Sequence, residues 1–487
     1  MKRSLAFYVA VLSVFGAGIY CVLSSGSRLE PDSTVSKHHD EPSAAAVSSS
    51  QPDVHESTFS RITSALGEQL REPLSVLLLQ VVVILIAARL ISGLFLKVGQ
   101  PAVIGEMIAG IVLGPSLLGM FFPNALLFLF PPSSLGSLRL LSQIGVILFM
   151  FVVGMEMNTR QLRDRAHAAV IISHASIIAP FFLGLAVSLF IYRPFAPSNT
   201  RFSSFALFMG VAMSVTAFPV LARIIEERGM TNSYLGSIAI ACAAVDDITA
   251  WCILASVIAI VKANGVGPSA MTVLMVLTFT AFMLWILKPQ LRRVIGDVEI
   301  AKKPNSIVAG GLALAFTSAY FTEVIGIHAL FGAFLAGAVM PDTGGIRSLV
   351  KDKVATFTSA ALLPLFFAFT GLRTQINLLN DWQSWVACAV IIVVAIAGKM
   401  GGSMLAARSS AMSWSDSISI GVLMNTRGLM ELVVLNIGYD LGILPERVFT
   451  IMVLMALVTT CMTAPLLSLI EFVARKHIRQ ERIASVA

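Results

Sequence analysis

Two aspartates stand side by side in an apolar run, Ala243-Ala244-Val245-Asp246-Asp247-Ile248-Thr249-Ala250. An acid at the centre of a hydrocarbon layer costs at least ~2.5–3.5 kcal/mol. Two adjacent acids cost more, because like charges at short range cannot both ionise cheaply. A base lies at a nearby depth in another apolar run, Lys399 in Ala395-Ile396-Ala397-Gly398-Lys399-Met400-Gly401-Gly402. A salt bridge that merely glues helices together needs one acid, and here two acids meet one base. Helix neighbours project about 100° apart, so the two carboxylates point in different directions. One of them, Asp246 in the simplest assignment, pairs with Lys399, and Asp247 is then left facing a cavity. A lone carboxylate there holds a proton or trades it for a cation, but cannot favourably hold both. That competition couples proton flow to metal-ion flow. Hard cations prefer oxygen ligands, and the Thr216 hydroxyl with freed backbone carbonyls would complete a transient Na⁺ or K⁺ shell around Asp247.

Other polar residues in apolar runs are weaker candidates. Glu106 and Glu156 fall in the second and third apolar segments. Glu431 follows Arg427 at i,i+4 spacing, so the two either neutralise each other or act at a local helix break; both readings stay open. His174 and His328 either respond to pH or are satisfied bundle histidines. Arg89 stands near a helix end and can snorkel. The five cysteines, Cys21, Cys242, Cys252, Cys388 and Cys461, include no CxxC pair, so neither a disulfide framework nor a zinc site is indicated. No cofactor is expected.

These side chains need helices that cross a bilayer, and the composition supplies them. The 487 residues are 56% hydrophobic and 13% charged, about half the charge of an ordinary soluble domain. A soluble enzyme is excluded, as is disorder except locally. Thirteen segments of about 20 apolar residues, the length a ~30 Å hydrocarbon core demands, lie at 74–95, 101–120, 137–157, 166–192, 203–227, 233–262, 267–287, 305–321, 325–341, 353–372, 383–406, 415–439 and 446–474. The loops on one side carry 19 Lys and Arg and those on the other carry 8. By the positive-inside rule the side with 19 and the C-terminus are cytoplasmic, which accounts for the +7 net charge without a nucleic-acid partner. Residues 1–24 read as a secretory signal peptide or a signal anchor; both fit. Residues 25–72 read as a disordered extracytoplasmic tether, 73–475 as the transmembrane domain and 476–487 as a short cytoplasmic tail.

Thirteen divides into six, one and six, which sets two six-helix copies in opposite orientation. Inverted repeats with a midplane site on interrupted helices are a transporter architecture. The fifth and twelfth segments hold matching interruptions, Ser214-Val215-Thr216-Ala217-Phe218-Pro219 and Asn425-Thr426-Arg427-Gly428.

Several runs resemble one family. They are Val98-Gly99-Gln100-Pro101-Ala102-Val103-Ile104-Gly105-Glu106, Gly110-Ile111-Val112-Leu113-Gly114-Pro115, Gly154-Met155-Glu156-Met157, Thr216 to Arg223, Ala244 to Asp247 and, most specifically, Met424-Asn425-Thr426-Arg427-Gly428-Leu429-Met430-Glu431-Leu432. Together they resemble the monovalent cation:proton antiporter-2 family, in its plant and fungal cation/proton exchanger branch and bacterial relatives. The resemblance covers about 74–475. It implies an all-α sodium/proton antiporter fold with crossed, discontinuous helices, a mobile core domain and a dimerisation domain, hence a homodimer in a cell membrane. It implies that Asp247 binds the ion and the proton and that Asp246 partners Lys399. The Asp-Asp form resembles the electrogenic class. The absence of a cytoplasmic regulatory domain and the N-terminal segment depart from many members.

The expected activity is therefore exchange of Na⁺ or K⁺ for protons by alternating access. A cation channel or uniporter on the same fold is the rival. An intramembrane aspartyl protease would need acids on separate helices with a Gly-x-Gly-Asp signature, which is lacking here.

Overall fold

In lipid no water satisfies backbone N–H and C=O groups, so each apolar segment closes its own hydrogen bonds as a helix. The computed structural model describes residues 2–29, 72–156, 159–230, 233–262, 266–295, 304–326, 328–342 and 344–484. Among these there are helices and no strand. We number the main helices α1 Lys2–Gly26, α2 Pro73–Lys97, α3 Ala102–Leu113, α4 Leu135–Glu156, α5 Thr159–Phe195, α6 Phe202–Ser214, α7 Phe218–Glu227, α8 Tyr234–Lys262, α9 Val266–Ala281, α10 Pro304–Ile325, α11 Ala329–Val339, α12 Ile346–Phe357, α13 Leu363–Leu372, α14 Trp382–Ser409, α15 Trp414–Met424, α16 Leu429–Asp440 and α17 Glu446–Ala484. A π-helical stretch, Phe282–Leu287, prolongs α9 into Lys288–Ile295, and another, Thr358–Leu362, joins α12 to α13.

Among the described residues eleven helices are long and apolar enough to cross a membrane, one of them the N-terminal Val9–Leu29, and the bent pair α15–α16 makes a twelfth. Two shorter apolar helices, α6 of 13 residues and α11 of 11, fall in the fifth and ninth of the thirteen segments expected after residue 72. Some ends move. The seventh segment runs on to Ile295 rather than stopping at 287, and α17 passes unbroken through residue 475 to Ala484. The expected tether falls mostly on residues 30–71, outside the described residues, as do Lys302, Lys303 and residues 485–487. Helix α1 lies on α5, where the Phe15 and Phe182 rings meet edge to face at 5.3 Å.

The helices sort into two groups. Helices α5 to α8 and α14 to α17 pack chiefly on one another, as do α2 to α4 and α10 to α13. The first group unites segments four to six with eleven to thirteen, the corresponding parts of the two expected repeats. We call it the core group, and the second the scaffold. Lipid tails are as apolar as leucine, so contact between helices relies on close packing, which small residues permit. At the α4–α11 crossing a Cβ on Gly154 would lie 2.1 Å from the Phe334 carbonyl oxygen, and one on Gly337 would lie 2.1 Å from that of Phe151. The two backbones are in contact there, and no side chain fits between them.

Candidate ion and proton site

Both interrupted segments are broken helices, and the breaks touch. Helix α6 ends at Ser214, and Val215 and Ala217 are extended. Helix α7 restarts at Phe218 with Pro219 in its first turn, where a missing N–H costs nothing. In the partner pair the chain leaves helix after Met424 and re-enters at Leu429, with a bend of 41°. The Ala217 N–H donates to the Thr426 carbonyl at 3.1 Å, and the Thr216 hydroxyl oxygen lies 3.3 Å from the Met424 carbonyl oxygen. Gly428 sits at φ 156°, a region closed to most side chains, and a Cβ there would lie 3.0 Å from Val220 Cγ2. Gly428→Ala is therefore expected to destabilise the protein by about 1–3 kcal/mol, the cost of such backbone strain. Thermal melting of the purified variant in detergent checks this.

Broken helices bring unsatisfied ends into the membrane, and cations meet the carboxyl end of α6, as its dipole favours. Arg427 donates through Nη1 to the Ala212 carbonyl at 3.0 Å and through Nη2 to that of Met213 at 2.7 Å. Lys399 Nζ donates to the carbonyl of Ser214. The amino end of α7 presents its Phe218 N–H toward the Asp247 carboxyl, short of a hydrogen bond of ordinary geometry.

The adjacent acids have opposite surroundings. Asp246 accepts from Lys399 Nζ at 3.0 Å, Thr216 at 2.5 Å, Ser173 at 2.5 Å and Ser176 at 2.9 Å. Ser176 also accepts from Lys399 Nζ at 3.1 Å, closing a ring of donors. Asp246 and Lys399 are fully buried. Asp247 is 1% exposed, and neither carboxyl oxygen has a hydrogen-bond partner. The sequence reading sets Asp247 in a cavity and Thr216 in its ion shell. Here Asp247 is enclosed, and the Thr216 hydroxyl gives its proton to Asp246, which leaves its oxygen lone pairs free.

The remaining candidates are spread along the breaks and beyond them. Asn425 is buried in the second break with both side-chain polar atoms unpartnered. Arg427 Nη1 and Glu431 Oε2 are 3.4 Å apart, both residues fully buried. Glu106 is half-buried on α3. Glu156 pairs with Lys351 at 3.1 Å at the end of α4. His174 bonds to the Val170 carbonyl at 2.8 Å, and His328 caps α11. Ser173 and Ser176 escaped the sequence reading, because single serines are common in transmembrane helices. Their i,i+3 spacing on one helix face was the available signal.

Two recesses lie along the seam between core and scaffold. One, of about 310 Å³, is lined by Gln143, Ile147, Glu323, His328, Asn436 and Asp440 among others. The other, of about 350 Å³, includes Phe149, Val152, Glu156, Ala222 and Glu226. Along α4 the first reaches Ile147 and the second begins at Phe149, a separation of about 3 Å in helix rise.

A helical bundle with two crossed breaks at buried acids defines a secondary transporter of the sodium/proton exchanger type. The chain belongs to the transmembrane sodium/hydrogen exchanger family, whose pattern matches residues 81–469. It is 41% identical over 398 residues to the Na(+)/H(+) antiporter NhaS4 of Synechocystis sp., covering 81% of this chain and 96% of that one. It is 38% identical over 402 residues to Cation/H(+) antiporter 17 of Arabidopsis thaliana, covering 82% and 48%. To K(+)/H(+) antiporter 1 of Saccharomyces cerevisiae it is 33% identical over 408 residues, covering 82% and 46%. The chain thus spans about half the length of these plant and yeast relatives. The solved structure of the sodium proton antiporter MjNhaP1 from Methanocaldococcus jannaschii aligns with a TM-score of 0.58 at 14% identity, over 84% of this chain and 98% of that one. At that identity the likeness is one of fold.

Proposed function

We propose that this protein exchanges a monovalent cation, Na⁺ or K⁺, for protons by alternating access, with Asp247 as the shared carrier of ion and proton. The observation that carries the reading is the contrast between neighbours: Asp246 is saturated by four donors, whereas Asp247 is enclosed with no partner. A buried carboxylate without partners is costly, so Asp247 needs a proton or a metal cation to be neutral. Either suffices, and each displaces the other. Asp246, fixed by Lys399 and three hydroxyls, holds the break in shape and keeps its own charge. The relatives named as Na⁺/H⁺ and K⁺/H⁺ antiporters support this substrate class.

In this reading the core group moves against the scaffold and offers Asp247 to each recess in turn. The basic loops lie in the cytoplasm, and the tether lies outside. Exchange is electrogenic, and the protein works as a homodimer. The apolar stripe Leu74, Leu78, Val82, Ile86, Leu90 and Leu94 on the scaffold's α2 is exposed and available to a partner or to lipid.

Proteoliposomes carrying the purified protein and a trapped pH dye test the reading. A pulse of Na⁺ or K⁺ is expected to drive protons the opposite way, at a rate that responds to membrane potential. Cation uptake without proton movement would favour the uniporter on the same fold. Neither flux would remove the transport reading.

A further inference from the structure

Asp440 closes α16, and an acid at a helix carboxyl end is disfavoured by about 0.3–1 kcal/mol unless cations compensate it. Two arginines from the scaffold do so. Arg373, just after α13, donates to Asp440 Oδ1 at 2.9 Å, and Arg139, on α4, meets Oδ2 at 2.9 Å. Arg373 also donates to Asn436 Oδ1 at 2.9 Å and stacks on the Tyr439 ring with its guanidinium carbon 5.0 Å from the centroid. Asn436 in turn donates to Thr370 Oγ1 on α13 at 2.9 Å. One face of the last turns of α16, in the core group, is thereby fastened to the scaffold. Close by, the Gln375 N–H donates to Thr450 of α17 at 3.1 Å, a further tie across the same seam.

The seam is also tied toward the basic loops, but by a neutral bond: Gln100, between α2 and α3, donates through Nε2 to the Cys461 carbonyl of α17 at 3.1 Å. Among the described residues, the ion pairs that cross the seam are those of Asp440. Toward the basic face, Lys351–Glu156 stays within the scaffold and Arg228–Glu471 within the core group. The clasp also stands at a recess, since Asp440 and Asn436 line the 310 Å³ hollow together with Val433 one turn deeper. Val433 is 3% exposed, so the hollow stops short of freeing it.

We infer that Asp440, held by Arg373 and Arg139, is an ionic latch that keeps the core–scaffold seam closed on the face opposite the basic loops. Its release is the step that opens the exchange site to that side. The inference rests on the exchanger reading for its meaning, but the latch itself is a mechanical claim testable without transport. Arg373 carries most of the hold, because its side chain is 15% exposed against 42% for Arg139, and exposed pairs are screened. The Glu323 and His328 side chains face the same hollow. Glu323 accepts from the Ala329 N–H at 2.8 Å, so it caps α11 within the scaffold and does not bridge the seam.

The test uses the full chain, purified in detergent, with its five native cysteines replaced and Val433→Cys introduced. In detergent a maleimide reaches both faces, so membrane orientation does not enter. Asp440→Asn is expected to speed labelling at position 433 by about tenfold, which corresponds to ~1.4 kcal/mol of lost closure. Arg373→Gln should act similarly and Arg139→Gln less. Ala222→Cys, in the recess toward the basic face, serves as control and should not accelerate. Unchanged labelling at 433 in both Asp440→Asn and Arg373→Gln overturns the latch. Equal acceleration at 433 and 222 overturns it as well, because the change would then be general loosening. If Asp440→Asn fails to assemble, Arg373→Gln decides alone. Repeating the comparison with Asp247→Asn present separates the two claims: the latch can hold in a protein that does not exchange, and exchange can survive the latch's failure.

Discussion

Asp247→Asn is expected to reduce cation-driven proton movement in proteoliposomes to the background of empty liposomes, while the protein still inserts and folds. Asparagine matches the size of the side chain and removes its charge and its proton together. The carboxyl of residue 247 has no side-chain hydrogen-bond partner to lose, and an asparagine oxygen still faces the Phe218 N–H, so the substitution costs little stability. A loss of exchange with an unchanged melting curve therefore reports chemistry and not collapse. The contrast with Asp246 is sharp, since that side chain accepts from Lys399 and three hydroxyls and its replacement disturbs all four donors. The same variant separates the two transport readings. A neutral residue 247 cannot trade a proton for a cation, so an exchanger falls silent. A uniporter on this fold would keep conducting, because its cation needs only a polar path. Normal exchange by Asp247→Asn would remove residue 247 from the mechanism.

Much of the architecture was legible because hydropathy measures what a bilayer demands. An apolar run of about 20 residues spans the hydrocarbon, and the expected runs fall on helices in the structure, the fifth and ninth on helices of 13 and 11 residues. The two broken helices announced themselves through Pro219 and Gly428, residues that interrupt helices for stated steric reasons. That the breaks touch, Ala217 to Thr426, was not legible, because hydropathy carries no information about which helix meets which. A membrane helix is apolar toward its neighbours and toward lipid alike, so periodicity cannot say which face is packed. For the same reason Ser173 and Ser176 looked like ordinary small residues until α5 was seen beside Asp246. Arg139 and Arg373 entered the sequence reading only as loop charges that orient the chain, whereas the structure draws both onto Asp440. A charge tally along a sequence sorts residues by side and cannot see a pair formed across a seam. The seventh segment's extension to Ile295 follows from Arg292 and Arg293, which end an apolar count but not a helix.

Lys399→Ala is expected to be the most destabilising single substitution near the site, at about 3–5 kcal/mol, because removing one member of a buried ion pair leaves the other charge uncompensated. Both members are fully buried and 3.0 Å apart. The ammonium also donates to the Ser214 carbonyl at the end of α6 and to Ser176, so its loss frees a helix terminus at the break as well as a carboxylate. Combining Lys399→Ala with Asp246→Asn should recover a good part of the loss, since the uncompensated charge disappears with its partner. The shortfall that persists measures what Lys399 does for Ser214 and Ser176. Melting midpoints of the two single variants and the double variant in detergent give the coupling as a double-mutant cycle. If the two losses simply add, the charges do not depend on each other and the pairing carries no energy. Transport adds a second discrimination. Should Asp246 and Lys399 only shape the break while Asp247 carries ion and proton, the double variant keeps measurable exchange that Asp247→Asn lacks. Silence of the folded double variant would instead make the pair a direct participant, with the proton or the cation passing through Asp246 or Lys399 on its way across.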